Sequence, residues 1–181
     1  MSTQAQRNRV IDQVLCDSVV AVFGDPGEQL TMTGASPVKS VGDHEAVALI
    51  GFTGKDARGT LVVATSINLV TRICARGDTQ PPMPADRARD WIGDLGVLIL
   101  DQIKGDLSDR GVALALSLPI ALTGQRLSLG SLRPSRTRAW DFNAVDTCVR
   151  AWLEAEFSSE VDLQPAGAAA RDPAAATLSL F

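Results

Sequence analysis

The chain has 181 residues, 45% of them hydrophobic, a net charge of −4 and a sequence pI near 4.9, which suits one globular domain with a full core. The acidic balance lacks the clustered Lys and Arg that phosphate contacts need and so argues against nucleic acid, while a single histidine, His44, leaves no structural zinc set. No apolar run reaches the ~20 residues that span a bilayer, and MSTQAQRNR leads into an amphipathic helix rather than an apolar leader core, so the chain is expected to be cytoplasmic with no membrane segment.

Val10, Ile11, Val14, Leu15, Val19, Val22 and Phe23 recur at helical spacing, and Gly24-Asp25-Pro26-Gly27 stops that helix. Gln29–Thr33 is expected as a short strand and Gly34–Gly42 as loop. Glu45–Thr53 and Gly59–Thr65 are rich in β-formers, and Gly54 and Gly59 bracket a hairpin connection between them. Ser66 is a suitable N-cap for a helix over Ile67–Ala75, with Gly77 as its stop. The linker Asp78–Pro84 holds three prolines, and Asp86 opens a long helix that runs to Gly105.

Gly111–Leu118 is expected as a strand, with Pro119 marking an edge position or a bulge because proline cannot donate to the ladder. Arg126–Leu132, Thr137–Val145 and Cys148–Phe157 follow as three more strands, the last two joined around Asp146. The basic residues Arg126, Arg133, Arg136 and Arg138 fit a solvated hairpin. In the last strand Val149, Ala151, Leu153, Ala155 and Phe157 alternate with polar residues, which gives one buried face. Trp152 breaks the pattern on the polar side, as packing under a loop or as a contact to a dimer mate. Cys16, Cys74 and Cys148 each sit in an apolar run and are expected as buried free thiols, in keeping with a reducing compartment.

After Val161 the composition shifts. Gln164–Ala176 is almost all Ala, Pro and Gly, with nothing to bury, and Thr177-Leu178-Ser179-Leu180-Phe181 is apolar again. Residues 1–161 therefore form a single domain and residues 162–181 a flexible tail. Antiparallel strands with helices segregated beside them give the α+β class: a two-layer domain, an antiparallel sheet with long helices packed on one face.

The stretch DRARDWIGDLGVLILDQIKG (Asp86–Gly105) carries the chemistry. As a helix it puts Ala88, Trp91, Ile92, Leu95, Leu98, Ile99 and Ile103 on one side and Asp90, Asp94, Asp101 and Lys104 on the other. An acidic stripe on an exposed helix face is a docking surface for a basic partner.

GFTGKDARGTLVVATSINLVTRI (Gly51–Ile73), the helix ending Gln102-Ile103-Lys104-Gly105, and the strand ending Ser117-Leu118-Pro119 with Thr123-Gly124 after it resemble, in that order, a CheX-like domain of the CheC/CheX/FliY chemotaxis phosphatase family. The resemblance covers about Val10 to Phe157 and implies dephosphorylation of a CheY-type response regulator. The family motif is Asp or Ser, three residues, Glu, two residues, Asn; the Glu anchors a lysine of the regulator and the Asn orients water. Anchored on Gly105, it falls on Asp94, Leu98 and Asp101, so the Asp matches and the other two positions differ. A second register places Asp90, Asp94 and Val97 there and loses the water-orienting group.

Leu98 cannot pair with a lysine, and Asp101 lacks an amide N–H and adds like charge beside a phosphoryl group. The leading expectation is a CheX-like signalling protein that binds a response-regulator receiver domain or a related signalling protein through Asp90, Asp94, Val97, Leu98, Asp101 and Lys104, with impaired or no phosphatase activity. One alternative is an active phosphatase with Asp94 and Asp101 as catalytic residues, Asp101 replacing Asn. Another is an adaptor using TLSLF, through Leu178, Leu180 and Phe181, which resembles the Gln-Leu-Ser/Asp-Leu-Phe peptide that docks on the bacterial sliding clamp, with Thr177 in place of Gln. The same five residues can instead pack on their own domain or on a dimer mate. No cofactor is expected, with Mg2+ entering only through a receiver partner, and a homodimer by strand pairing is compatible with the resemblance.

Overall fold

The computed structural model describes residues 3–24, 29–35, 41–75, 83–129, 137–158 and 161–163. In chain order these form α1 (Gln4–Gly24), β1 (Thr31–Ala35), β2 (Val41–Thr53), β3 (Ala57–Thr65), α2 (Ile67–Ala75), α3 (Ala85–Ser108), β4 (Ala115–Leu116), β5 (Ile120–Leu129), β6 (Thr137–Asn143) and β7 (Cys148–Phe157). The strands make one antiparallel sheet in the order β1-β6-β7-β3-β2-β4, with β5 also paired to β2. The fold is α+β, with the helices on one face of the sheet.

The β2–β3 hairpin pairs Thr53 with Arg58 and Ala46 with Thr65. Gly54 is required at its end: a Cβ there would stand 2.1 Å from the Ala113 carbonyl oxygen. After β3 the Ser66 Oγ accepts from the Leu69 N–H at 3.2 Å, the expected N-cap of α2. The Glu45 carboxylate accepts from the Ile67 N–H at 3.0 Å and satisfies a second donor of that first turn.

Alternation along the strands sends Ala46, Ala48, Ile50, Leu61, Val63, Ala151 and Leu153 toward the helices, where Leu15, Val19, Phe23, Leu69, Ile92, Ile99 and Leu100 meet them. The opposite face carries a second cluster of Val47, Val62, Ala64, Ala139 and Trp152. Trp152 is 3% exposed. It is therefore no exposed aromatic on a polar side; β7 buries residues on both of its faces at this point.

The strand expected over Gly111–Leu118 shrinks to Ala115–Leu116. Pairing to β2 stops at Ser117–Pro119 and resumes at Ile120. Pro119 has no N–H for the ladder, and Ser117 patches the gap: its N–H donates to Gly51 O and its Oγ accepts from Gly51 N–H, both at 2.9 Å. β5 thus begins six residues before the expected Arg126. The cysteines are free, as expected, but half-buried rather than buried. Val161 and Leu163 pack in the core. Gly77, Arg133, Arg136 and residues 164–181, with Leu178, Leu180 and Phe181, lie outside the described residues.

Candidate functional site

α3 lies across β2 and β5, and two of its glycines set the approach. A Cβ on Gly96 would stand 2.5 Å from Ile50 Cδ1 and 3.1 Å from Ala48 Cβ, and one on Gly93 would stand 3.5 Å from Ala121 Cβ. Glycine inside a helix costs about 1 kcal/mol against alanine, so a packing reason is expected for each, and close contact with the sheet supplies it. The buried stripe is Ala88, Ile92, Gly93, Leu95, Gly96, Ile99, Leu100, Ile103 and Leu107.

Trp91 and Leu98 do not belong to that stripe. They are 38% and 53% exposed, and they correct the expectation that both face the apolar side. The start of the helix also moves: Ala85 is the first helical residue, Pro84 stands at the cap without a side-chain bond, and Asp86 lies in the first turn, where its charge suits the helix dipole.

The other end moves further. α3 does not stop at Gly105, where a Cβ would meet nothing within 4 Å, but continues to Ser108 and buries Leu107. The stop is Gly111, with φ +80°. The Val112 N–H reaches back to Leu107 O and the Gly111 N–H to Ser108 O, both at 2.9 Å, which is the bond pair of a Schellman cap with its left-handed residue on glycine. Val112, 1% exposed, supplies the apolar contact that accompanies such a cap.

The continuous helix brings the sequence-named residues onto one outer face. Asp90, Asp94, Leu98 and Asp101 are exposed, and Val97 and Lys104 are half-buried beside them. The spacing of Asp94, Leu98 and Asp101 is i, i+4, i+7, so the three stack along one line. Their charges are loosely engaged. Asp101 Oδ1 stands 4.0 Å from Lys104 Nζ, and Asp90 Oδ1 stands 3.6 Å from Arg89 Nε; exposed pairs of this kind contribute little. Asp94 has no ion-pair partner among the described residues. An ionised carboxylate only accepts hydrogen bonds, so this line offers acceptors and negative charge around an apolar centre at Leu98, with Trp91 two turns earlier.

One part of the surface was not anticipated. Pro119 packs against α3 at Gly93, and beside it Leu118 and Ile120 are 89% and 63% exposed. The strand expected over Gly111–Leu118 hid this, because a continuous ladder would have buried alternate residues.

Among the described residues no cluster of three or more His, Cys, Asp or Glu is arranged to hold a metal ion, and no helix is long and apolar enough to cross a membrane. Burial pushes the Cys16 thiol up to about 12, helped by Asp12 and Asp17. It pushes Cys74 up to about 11, with Arg87 opposing and Asp94 adding to the rise. Neither thiol is set up as a nucleophile.

No family model and no curated protein matches the chain. Solved structures do. A CheC-like superfamily protein from Shewanella sp. PV-4 is 18% identical over 81% of this chain and 97% of its own, with a TM-score of 0.74. The chemotaxis protein CheX from Vibrio vulnificus is 14% identical over 81% and 99%, with a TM-score of 0.73. A chain of the CheX–CheY–BeF3–Mg2+ complex from Borrelia burgdorferi is 12% identical over 80% and 97%, with a TM-score of 0.61. This chain has the CheC/CheX-like fold.

Proposed function

We propose that this protein binds a CheY-type response-regulator receiver domain through the outer face of α3, in the cytoplasm, and does not hydrolyse its phospho-aspartate. The observation that carries this reading is the line Asp94–Leu98–Asp101, exposed on the helix where the resembled family keeps its motif. The Borrelia complex supports the partner class, since that CheX-fold chain is seen with CheY.

The changes at two positions support a non-catalytic reading. Leu98 gives a partner lysine nothing to pair with, and exposes apolar area in its place. Asp101 accepts hydrogen bonds but cannot donate one, and its charge opposes the approach of a phosphoryl group. Removing catalysis in this way leaves a binding surface: carboxylates at Asp90, Asp94 and Asp101 for basic residues of the partner, and Val97 and Leu98 for an apolar contact at the centre. Lys104, half-buried at the edge, limits the register in which a basic partner can lie. Any Mg2+ in the complex belongs to the receiver domain.

The test is the decay of phosphorylated receiver domains from the source organism, with and without this protein, with binding followed in the same samples. Binding with unchanged decay is expected. Faster decay that Asp101→Ala abolishes and Asp101→Asn keeps would replace this reading with an active phosphatase. Absence of both binding and faster decay would overturn it.

A further inference from the structure

We propose that α1 packs antiparallel against α1 of a second copy of this chain, with Arg9 of each copy paired to Asp17 of the other. The residues involved lie on the outward side of α1 and none belongs to the outer face of α3, so the pairing stands apart from the receiver-binding reading.

α1 buries Val10, Val14, Leu15, Val19 and Phe23 in the core. Its outward row is Ala5, Arg9, Gln13, Asp17 and Ala21, all exposed. Each stands four residues from the next, which is the ridge that one helix presents to another. Arg9, Gln13, Asp17 and Ala21 line a groove of about 690 Å3 together with Met32 of β1 and Trp140 of β6.

Charge singles out the occupant. Asp12, in the same groove, is neutralised: it accepts from Arg138 Nε at 2.8 Å and from Trp140 Nε1 at 3.2 Å. Asp17 accepts at 2.9 and 2.8 Å from Gln13 Nε2, an uncharged amide, so its charge stays uncompensated. Arg9 has no ion-pair partner among the described residues. The groove thus keeps one cation and one anion, about 12 Å apart along the helix at 1.5 Å per residue.

Opposite charges placed this way are self-complementary. A two-fold axis that sets residue i against j also sets j against i. Centred on Gln13, it puts Arg9 against Asp17 of the second copy, Asp17 against its Arg9, and Ala5 and Ala21 against each other at the ends. Two ion pairs form, and the only residue that meets its own kind is the neutral Gln13. A parallel pairing would set Arg9 on Arg9 and Asp17 on Asp17, where like charges repel. Beside the ridge, Val20 and Met32 are 41% and 50% exposed and give the contact apolar area to bury.

Sedimentation velocity of the full chain over a range of concentrations tests the pairing. A dimer that weakens with added salt is expected. Arg9→Asp turns both ion pairs into like-charge contacts and is expected to raise the dissociation constant about tenfold or more; Asp17→Arg is expected to do the same. Combining Arg9→Asp with Asp17→Arg exchanges the signs and is expected to bring the constant back to within a few-fold of the wild-type value. Both positions are exposed, so the unfolding midpoint in dilute solution should hold for all three variants. A chain that stays monomeric into the millimolar range would overturn the proposal. So would a dimer that the single variants leave intact, which would put the contact on another surface. A double variant no tighter than the single ones would show that Arg9 and Asp17 do not meet and overturn it equally.

Discussion

Asp12 of α1 and Asp94 of α3 are both carboxylates on long helices of the same layer, and they have opposite fates. Asp12 is drawn into the fold. Its side chain is 15% exposed, it takes two guanidinium nitrogens of Arg138, and it accepts from the Trp140 indole as well. Asp94 points outward, and among the described residues no cation is paired with it. Leu98 and Leu100 repeat the contrast within one turn of α3: Leu98 is 53% exposed and Leu100 fully buried. Side chains of the same type are consumed by packing in one place and left available in the other, and the available ones form a single line.

Substitutions that move this boundary give the largest effects first. Leu100→Ala opens a cavity under α3 and is expected to cost about 2–5 kcal/mol, whereas Leu98→Ala should stay within about 0.5 kcal/mol; chemical denaturation of both variants measures the gap. Next comes Asp12→Ala, which strands the Arg138 guanidinium and the Trp140 N–H together. A loss of about 1–3 kcal/mol is expected, against about 0.5 kcal/mol or less for Asp94→Ala. Similar losses for the two would mean that Asp94 also holds the fold together.

The last effect concerns pH and is nil near neutrality. Cys16 binds its proton more tightly in the folded chain, with its thiol raised from the ordinary 9.0 to about 12. The stability tied to that proton is complete below about pH 9 and is lost as pH rises toward 12. Cys16→Ser should flatten the fall in unfolding midpoint over this range and leave the midpoint at pH 7 to 8 nearly unchanged. An identical alkaline slope in both chains would show that the thiol does not ionise on unfolding there.

Much of the fold was legible because the local chemistry and the tertiary need agree. Gly54 marks the β2–β3 connection and is sterically required there, and Ser66 caps α2 where the β-rich run ends. The errors occur where a second contact overrides the local pattern. Gly105 is a reasonable helix stop by type, yet Leu107 has a place in the core, so the helix continues and Gly111 closes it. Trp152 sits on the polar side of an alternating strand, and the second cluster on that face, with Val47, Val62, Ala64 and Ala139, accounts for its burial. Trp91 and Leu98 are apolar residues on a helix, and only Gly93 and Gly96 show which side meets the sheet. Those two glycines were the available signal, since a helix tolerates them only where something packs close.

The candidate site followed the same rule. The acidic residues were visible as a stripe because their outward position needs no partner in the fold. The apolar residues among them were assigned inward because sequence periodicity cannot distinguish an apolar residue kept for packing from one kept for a partner. Leu118 and Ile120 were concealed in the same way by an expected strand that Pro119 interrupts.

The most direct test of the account is the dissociation constant for a receiver domain of the source organism, measured with the wild-type chain and with Asp94→Lys. The account predicts at least a tenfold loss, about 1.4 kcal/mol, with the same unfolding midpoint. Equal affinity for a bound receiver domain would place the binding surface elsewhere and contradict the assignment of α3.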